Sequence, residues 1–382
     1  MNVCLNAITF NPGKMGGVET YFRELVRHLP VIGSNDFFTV LTGNRYRHVF
    51  EKFQNLAVSG TQLYSRPEFF WLTNAVLRRI NHLDTYSTAL KKIKSDLIHH
   101  PFTTINPYVI DRPTVLTFWD MQHEFYPEFF TKKDLTYRAR TYKKSTQQAT
   151  RVIVSASFTK QCLIDRYGID AGKIDVIHTG YSPIYKVLPE NDETNRIRKK
   201  YAIDRSFMFY PAATWPHKNH GRLLEALKIM VDRNQFDGLL ILSGIAMQHH
   251  NEVIRKINSS GLQKYVKILG YVPYSELPFM YNMARLLIFP SLFEGFGIPL
   301  VEAMACGCPV VASNCTSLPE VVGNAGKLFD PGSPEDIAAV IMSVWNSDSK
   351  LSLMGQKSLT RAKLFTWENT ARKTLEVYHK AR

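Results

Sequence analysis

No apolar run in this sequence approaches the roughly 20 residues that a membrane-spanning helix needs. Its five cysteines, Cys4, Cys162, Cys306, Cys308 and Cys315, are odd in number and spaced for neither a zinc site nor a disulfide framework. A reduced, cytosolic compartment is therefore expected. No Gly-x-Gly-x-x-Gly follows a predicted strand, so the dinucleotide fingerprint is missing. Asp-x-Asp occurs nowhere, and there is neither a tandem repeat nor a low-complexity tract. The opening Met1–Phe10 has no basic leader or small-residue cleavage site and reads as a first strand.

Acidic residues are also scarce: 33 Asp and Glu stand against 47 Lys and Arg, a net charge of +14. Through Tyr185 there are 23 basic and 15 acidic residues, and after it 24 and 18, so the excess is +8 and then +6. No single basic tail carries it. Nucleic acid, an anionic lipid surface and an anionic nucleotide substrate are all compatible partners.

A chain of 382 residues, 45% hydrophobic and 21% charged, is too long for one ordinary core and suits two soluble domains. Apolar runs alternate with amphipathic patterns, the signature of parallel α/β sheets. In the first half, strands are expected at Val3–Thr9, Phe37–Leu41, Leu97–His100, Thr114–Phe118, Val152–Ser155 and Ile174–Ile177, and helices at Val18–Leu29, Asp134–Gln148 and Ser157–Tyr167. The second half restarts at Phe207–Pro211 and continues with strands near Leu239–Ser243, Val266–Leu269, Leu286–Phe289 and Val310–Ala312. Helices are expected there at His220–Asp232, Glu252–Asn258, Ser275–Tyr281 and Pro299–Cys306. Between the halves, the polar, proline-bearing Tyr181–Thr194 reads as a linker.

The most informative stretch is Ser291–Ser313. Pro290 stops a buried strand, and Pro299 and Gly307 suit the start and end of a short helix. The loop Glu294–Ile298 thus lies at a strand's carboxyl end and a helix's amino end, where free amides and the helix dipole can hold phosphate. Glu294 and Glu302 flank that loop. A carboxylate does not bind phosphate, so each must take hydroxyls on either side of it. A nucleotide-sugar has them in its sugar and its ribose.

The run Glu294, Gly295, Phe296, Gly297, Pro299, Glu302, Ala303, Gly307-x-Pro309, Val310-Val311 and Ser313 resembles the donor site of retaining GT-B glycosyltransferases, family 4 (group 1) of bacterial polysaccharide type. The resemblance implies two Rossmann-like, doubly wound α/β domains facing a cleft. Residues 1–183 would form the acceptor-binding domain and 184–366 the nucleotide-sugar domain, with a helix at 367–382 returning to the first. Glu294 would bind the donor sugar, Glu302 the ribose, and the backbone at Ile298 and Leu300 the diphosphate.

Other motifs follow the family with departures. Asn11–Glu19 carries adjacent Gly16 and Gly17 between the first strand and first helix, similar to the family's Gly-Gly loop near the donor phosphates. Where the family has His-Asp, this chain has Trp119-Asp120, with His123 near enough to take over the contact. Lys218-Asn219 matches the phosphate-neutralising element, but Thr214-Trp215 replaces the family's Arg, leaving Lys218 to carry the charge with help from Thr214 or His217. Gly270–Leu277 resembles the base-binding turn, with Tyr271 and Val272 at the nucleobase edge.

The resemblance implies a hexosyltransferase using no cofactor and, given the missing Asp-x-Asp, no metal. The expected reaction moves a hexose, with GDP-mannose favoured, onto a saccharide that is lipid-linked, in polysaccharide or O-antigen assembly. Lys132–Lys144 holds six cations and one acid, and Arg78-Arg79 with Lys91, Lys92 and Lys94 forms a second basic group. These read either as solvated helix faces or as contacts to an anionic membrane at the inner face of the plasma membrane. A nicotinamide oxidoreductase is disfavoured by the missing fingerprint. A Rossmann-type nucleotide- or nucleic-acid-binding protein without transferase activity is the alternative, although no nucleic-acid partner is expected.

Overall fold

The computed structural model describes residues 1–61, 85–109 and 111–382. These fall into two compact units. One holds Met1–His123, Phe130–Thr179 and Trp367–Arg382, and the other Glu124–Phe129 and Gly180–Thr366. The pair Arg78-Arg79 lies outside the described residues.

The first unit is a seven-stranded sheet: β1 (Asn2–Ala7), β2 (Phe37–Gly43), β3 (Leu56–Thr61), β4 (Leu97–His100), β5 (Thr114–Phe118), β6 (Arg151–Val154) and β7 (Ile174–Val176). Their order is β3-β2-β1-β4-β5-β6-β7, and every pairing is parallel. Central strands such as β4 and β5 are buried at every residue, as expected where helices cover both faces of a sheet. Helix Trp367–Ala381 belongs to this unit. Its Trp367, Ala371, Val377 and Tyr378 share a core with Val3, Leu5, Phe22 and Leu25.

The second unit is a six-stranded sheet: β8 (Phe207–Pro211), β9 (Leu239–Ser243), β10 (Val266–Gly270), β11 (Leu286–Phe289), β12 (Val310–Ser313) and β13 (Lys327–Phe329). The order is β10-β9-β8-β11-β12-β13, again with only parallel pairs. Helices Asp192–Lys200, Pro334–Trp345 and Asp348–Ala362 were not among the expected elements, nor were strands β3 and β13. β3 reads Leu-Ala-Val-Ser-Gly-Thr and β13 has three residues, so neither carries a usable apolar pattern. The segment Tyr181–Thr194 is no loose spacer. Tyr185 is 1% exposed in the second core, and the Asn191 side chain caps helix Asp192–Lys200 by accepting from the Thr194 amide at 3.0 Å.

Each sheet reverses its winding once, between β1 and β4 in the first unit and between β8 and β11 in the second. A crevice opens at the carboxyl ends of the strands where the winding reverses, because successive connections leave toward opposite faces. In the second unit the loops there are packed hard: a Cβ on Gly244, at the end of β9, would lie 2.5 Å from the Ala212 carbonyl carbon after β8.

Candidate active site

The loops after β8 and β11 build a charged centre at the second unit's reversal. β8 ends in a tight turn over Pro216–Lys218, and Asn219 follows in the left-handed conformation, φ 59°. Asparagine tolerates that region better than most residues. Its buried side-chain amide donates to the carbonyls of Pro290 (3.0 Å) and Pro331 (2.9 Å), stitching the β8 loop to the loops after β11 and β13. The Tyr210 hydroxyl donates to the Lys218 carbonyl at 2.7 Å, and the Leu292 amide to that of His217 at 2.8 Å.

These bonds aim Lys218 at Glu294: Nζ lies 2.5 Å from Oε1, with 17% and 14% of the two side chains exposed. Burial pushes the Glu294 carboxyl up, but the charge of Lys218, then that of His217, outweighs it and holds the group below the ordinary carboxylate value. Burial and the Lys218 charge push His217 down to about 4, so its imidazole is neutral near pH 7. Lys218 is the fixed cation of this corner.

Helix Ile298–Ala305 begins at the same loop. Gly297 leads into it at φ 98°, and a Cβ there would lie 2.9 Å from Leu318 Cδ2, so the position requires glycine twice over. The Ser317 hydroxyl bonds to the carbonyls of Glu294 (3.0 Å) and Phe296 (3.1 Å), while the Glu294 amide donates to Thr316 Oγ1 at 3.2 Å. Gly295 is partly exposed and Phe296 buried, the Phe296 ring 5.7 Å from that of Phe365. Ile298 and Pro299 are partly exposed and Leu300 is buried. Glu302, one turn on, is 8% exposed and accepts from the Tyr281 hydroxyl at 2.9 Å. Burial pushes its carboxyl up to about 7, against the bond from Tyr281.

Thr214 is buried. Its Oγ1 accepts from the Met247 amide at 2.7 Å, fixing the loop after β9. Tyr271, after β10, is 67% exposed, whereas Val272 is 4% exposed in the core. The structure thus brings Lys218, Glu294 and Glu302 to one end of one sheet. Thr316, Ser317, Tyr281 and Tyr185 were missed by sequence reasoning. Ser317 alone left a signal, as a helix-leading serine before Leu318-Pro319.

In the first unit, Gly16 leads helix Gly17–Ile32 at φ 55°, and a Cβ on it would meet nothing within 4 Å. Glu19 ties the loop back by accepting from the Gly13 amide at 2.6 Å. Trp119 and Asp120, after β5, are partly exposed. His123 is 6% exposed. Its Nε2 lies 3.3 Å from the Tyr167 hydroxyl, and its ring packs edge-on against Phe130 and Tyr142. That is an occupied, inward imidazole, unlike the open contact expected of a stand-in for the family's histidine.

Two family models cover the chain almost end to end: glycosyltransferase family 4 over residues 15–183 and glycosyl transferases group 1 over 193–360. The chain belongs to the group 1, family 4 glycosyltransferases. The O-antigen chain mannosyltransferase B of Escherichia coli is 29% identical to it over 367 residues, 95% of each chain. The O-antigen chain mannosyltransferase RfbU of Salmonella typhimurium is 26% identical over 242 residues, 63% of this chain and 64% of that one. Among solved structures, Anabaena HepE in complex with UDP and glucose superposes with a TM-score of 0.75 at 22% identity, covering all of both chains. The fold of this glycosyltransferase is GT-B.

Replacing Lys218 by Met leaves burial, the largest influence on Glu294, with its main opponent gone. The Glu294 carboxyl should then titrate above the ordinary value of about 4.3, read by carbon NMR of the labelled side chain. A titration still below that value would show that Lys218 is not the compensating charge.

Proposed function

We propose that this glycosyltransferase moves mannose from GDP-mannose to a saccharide acceptor in bacterial polysaccharide or O-antigen assembly, with retention at the anomeric carbon and without a metal. The observation that carries the proposal is the Lys218–Glu294 pair at the second sheet's reversal, with Glu302 on the helix that opens from the same loop. The preference for mannose is supported by the two O-antigen mannosyltransferase relatives. UDP-glucose, present in a structure of HepE, is the donor to test beside it.

In this reading the diphosphate lies against Lys218 and the amino end of helix Ile298–Ala305, with Gly295, Phe296 and Gly297 giving the backbone close approach. Glu294 accepts donor-sugar hydroxyls and Glu302 ribose hydroxyls. Tyr271 and Val272 edge the base, and Thr214 holds the neighbouring loop. Gly16 and Gly17 supply the open glycine loop of the first unit. The bond from the anomeric carbon to phosphate oxygen breaks and the acceptor oxygen bonds on the same face. The acceptor proton passes to the departing phosphate oxygen, whose growing charge Lys218 stabilises. No second carboxylate need act as nucleophile, so the glutamate spacing is not that of a hydrolase pair. Asp120 is the partly exposed carboxylate at the end of β5, and His123 packs inside the turn that follows it.

The acceptor is lipid-linked, and the protein works in the cytoplasm at the inner face of the plasma membrane. Among the described residues no helix is long and apolar enough to cross a membrane. The helix Lys132–Gln148 instead exposes Lys132, Lys133, Arg140, Lys143 and Lys144 around Tyr137, itself 51% exposed. Each cation near an anionic surface contributes about 1 kcal/mol.

Three outcomes follow. Glu294→Gln should lower kcat by about a hundredfold with the fold intact, whereas Glu302→Ala should mainly raise the donor KM; near-normal turnover in the first would sink the donor-site reading. Transfer should persist in excess EDTA, and full loss restored by manganese would contradict metal independence. The protein should bind anionic vesicles at low salt and not neutral ones, and neutralising Lys132, Lys133, Lys143 and Lys144 together should abolish this. Equal binding by that variant would leave the helix face merely solvated.

A further inference from the structure

The loop that carries Glu294 is moulded by a second loop, Cys315–Leu318, which follows β12. The contacts run in step along the two segments. Cys315 Sγ reaches the carbonyls of Ser291 (3.6 Å) and Leu292 (3.4 Å), and burial pushes its thiol up to about 11, so it keeps a proton to donate. Thr316 Oγ1 accepts from the Glu294 amide, and the Ser317 hydroxyl bonds to the carbonyls of Glu294 and Phe296. Leu318 closes over Gly297, where a Cβ would leave it no room. Three consecutive side chains thus fix backbone groups on either side of Glu294, and these contacts leave its carboxylate free to face Lys218.

Thr316 makes its bond from a costly conformation. Its φ is 55°, in the left-handed region that a β-branched side chain fits worst. Among the described residues, six other than glycine have positive φ: three are asparagine, one is alanine, and only Thr103 and Thr316 are β-branched. Of those two, Thr316 is the one whose side chain bonds to the loop of the Lys218–Glu294 pair. Strain of this kind persists only where the surroundings over-determine the backbone, and it collects at functional sites. Here Cys315 and Ser317, each held by its own bonds, supply that constraint from both sides. The bond also acts close to its target. A displacement of the Glu294 amide is passed through one Cα to the side chain that must meet Lys218 Nζ.

We infer that Thr316 is a positioning residue for Glu294: a strained threonine is kept after β12 because its hydroxyl fixes the Glu294 backbone and so aims the carboxylate at Lys218 and at the donor sugar. Strain and hydroxyl can be separated by substitution. Glycine takes the same φ without strain but brings no hydroxyl. Valine keeps the β-branch and the strain but brings no acceptor. Serine keeps the hydroxyl without the β-branch. The inference rests on the glycosyl-transfer reading above.

The test compares the full chain with its Thr316→Val, Thr316→Ser and Thr316→Gly variants. Transfer from GDP-mannose and UDP-glucose to α-mannobiose, thermal unfolding, and donor-free titration of the Glu294 carboxyl by carbon NMR are measured for each. Thr316→Val should lower kcat about tenfold with the donor KM nearly unchanged, because orientation and not binding is lost. Its Glu294 carboxyl should titrate higher than in the parent, since Lys218 no longer meets it squarely. Thr316→Ser should keep most of the parent's kcat and its Glu294 titration. Thr316→Gly should melt above the parent yet turn over as poorly as Thr316→Val, a split that a merely structural role would not produce. Parent-like kcat or an unmoved Glu294 titration in Thr316→Val would each overturn the inference, as would parent-like turnover or a lowered melting temperature in Thr316→Gly. A parent protein that transfers from neither donor would instead break the transfer reading, while the donor-free titration and the melting temperatures would still decide whether Thr316 positions Glu294.

Discussion

The second unit is organised around one unfavourable act made favourable: two opposite charges are drawn mostly out of water at the mouth of a parallel sheet. Desolvating an ion costs several kcal/mol, and mutual attraction offsets this only when geometry is good and the surrounding groups are fixed. Here the nitrogen-to-oxygen distance is 2.5 Å, Asn219 binds together the two loops that carry the charges, and Ser317, after β12, holds the Glu294 loop. Because those bonds run to backbone carbonyls, they fix the loop itself. Lys218 is thereby presented as a preorganised cation, the form in which a positive charge is most useful to a departing phosphate.

The two units use one sheet grammar for opposite chemistry. Each reverses its winding once and so opens one crevice. The second fills its crevice with an ion pair and a carboxyl poised near neutrality. The first carries a partly exposed indole and carboxylate after β5, and ends β4 in two fully buried imidazoles, His99 and His100, that burial keeps uncharged. The charged corner suits a diphosphate.

Much of this was legible before any coordinates. Central strands such as Leu97–His100, Thr114–Phe118 and Leu286–Phe289 were readable because fully buried parallel strands are continuous apolar runs. β3 and β13 were not, since an edge strand with glycine and serine, or one of three residues, is placed by its neighbour's hydrogen bonds. Glu294, Gly297 and Glu302 were readable as a local pattern. Tyr281, Tyr185 and Ser317, which hold that pattern in place, come from other parts of the chain, and Tyr281 looks in sequence like ordinary helix core. His123 is a different case. Proximity in sequence to Asp120 suggested a shared role, but the turn after β5 points the imidazole inward to Tyr167.

The sequence by itself determined the α/β class, the two-part organisation and the glycine-rich loop between two glutamates. Those depend on periodicity, turn chemistry and short-range spacing, all of which one segment can carry. Tertiary structure alone decided the rest. It paired Lys218 with Glu294 across 76 residues, placed Tyr281 against Glu302, and tied His99 to Tyr378 across 279 residues. Sheet order brings such residues together, and strand order is set by how all the strands and helices pack, which no local pattern records.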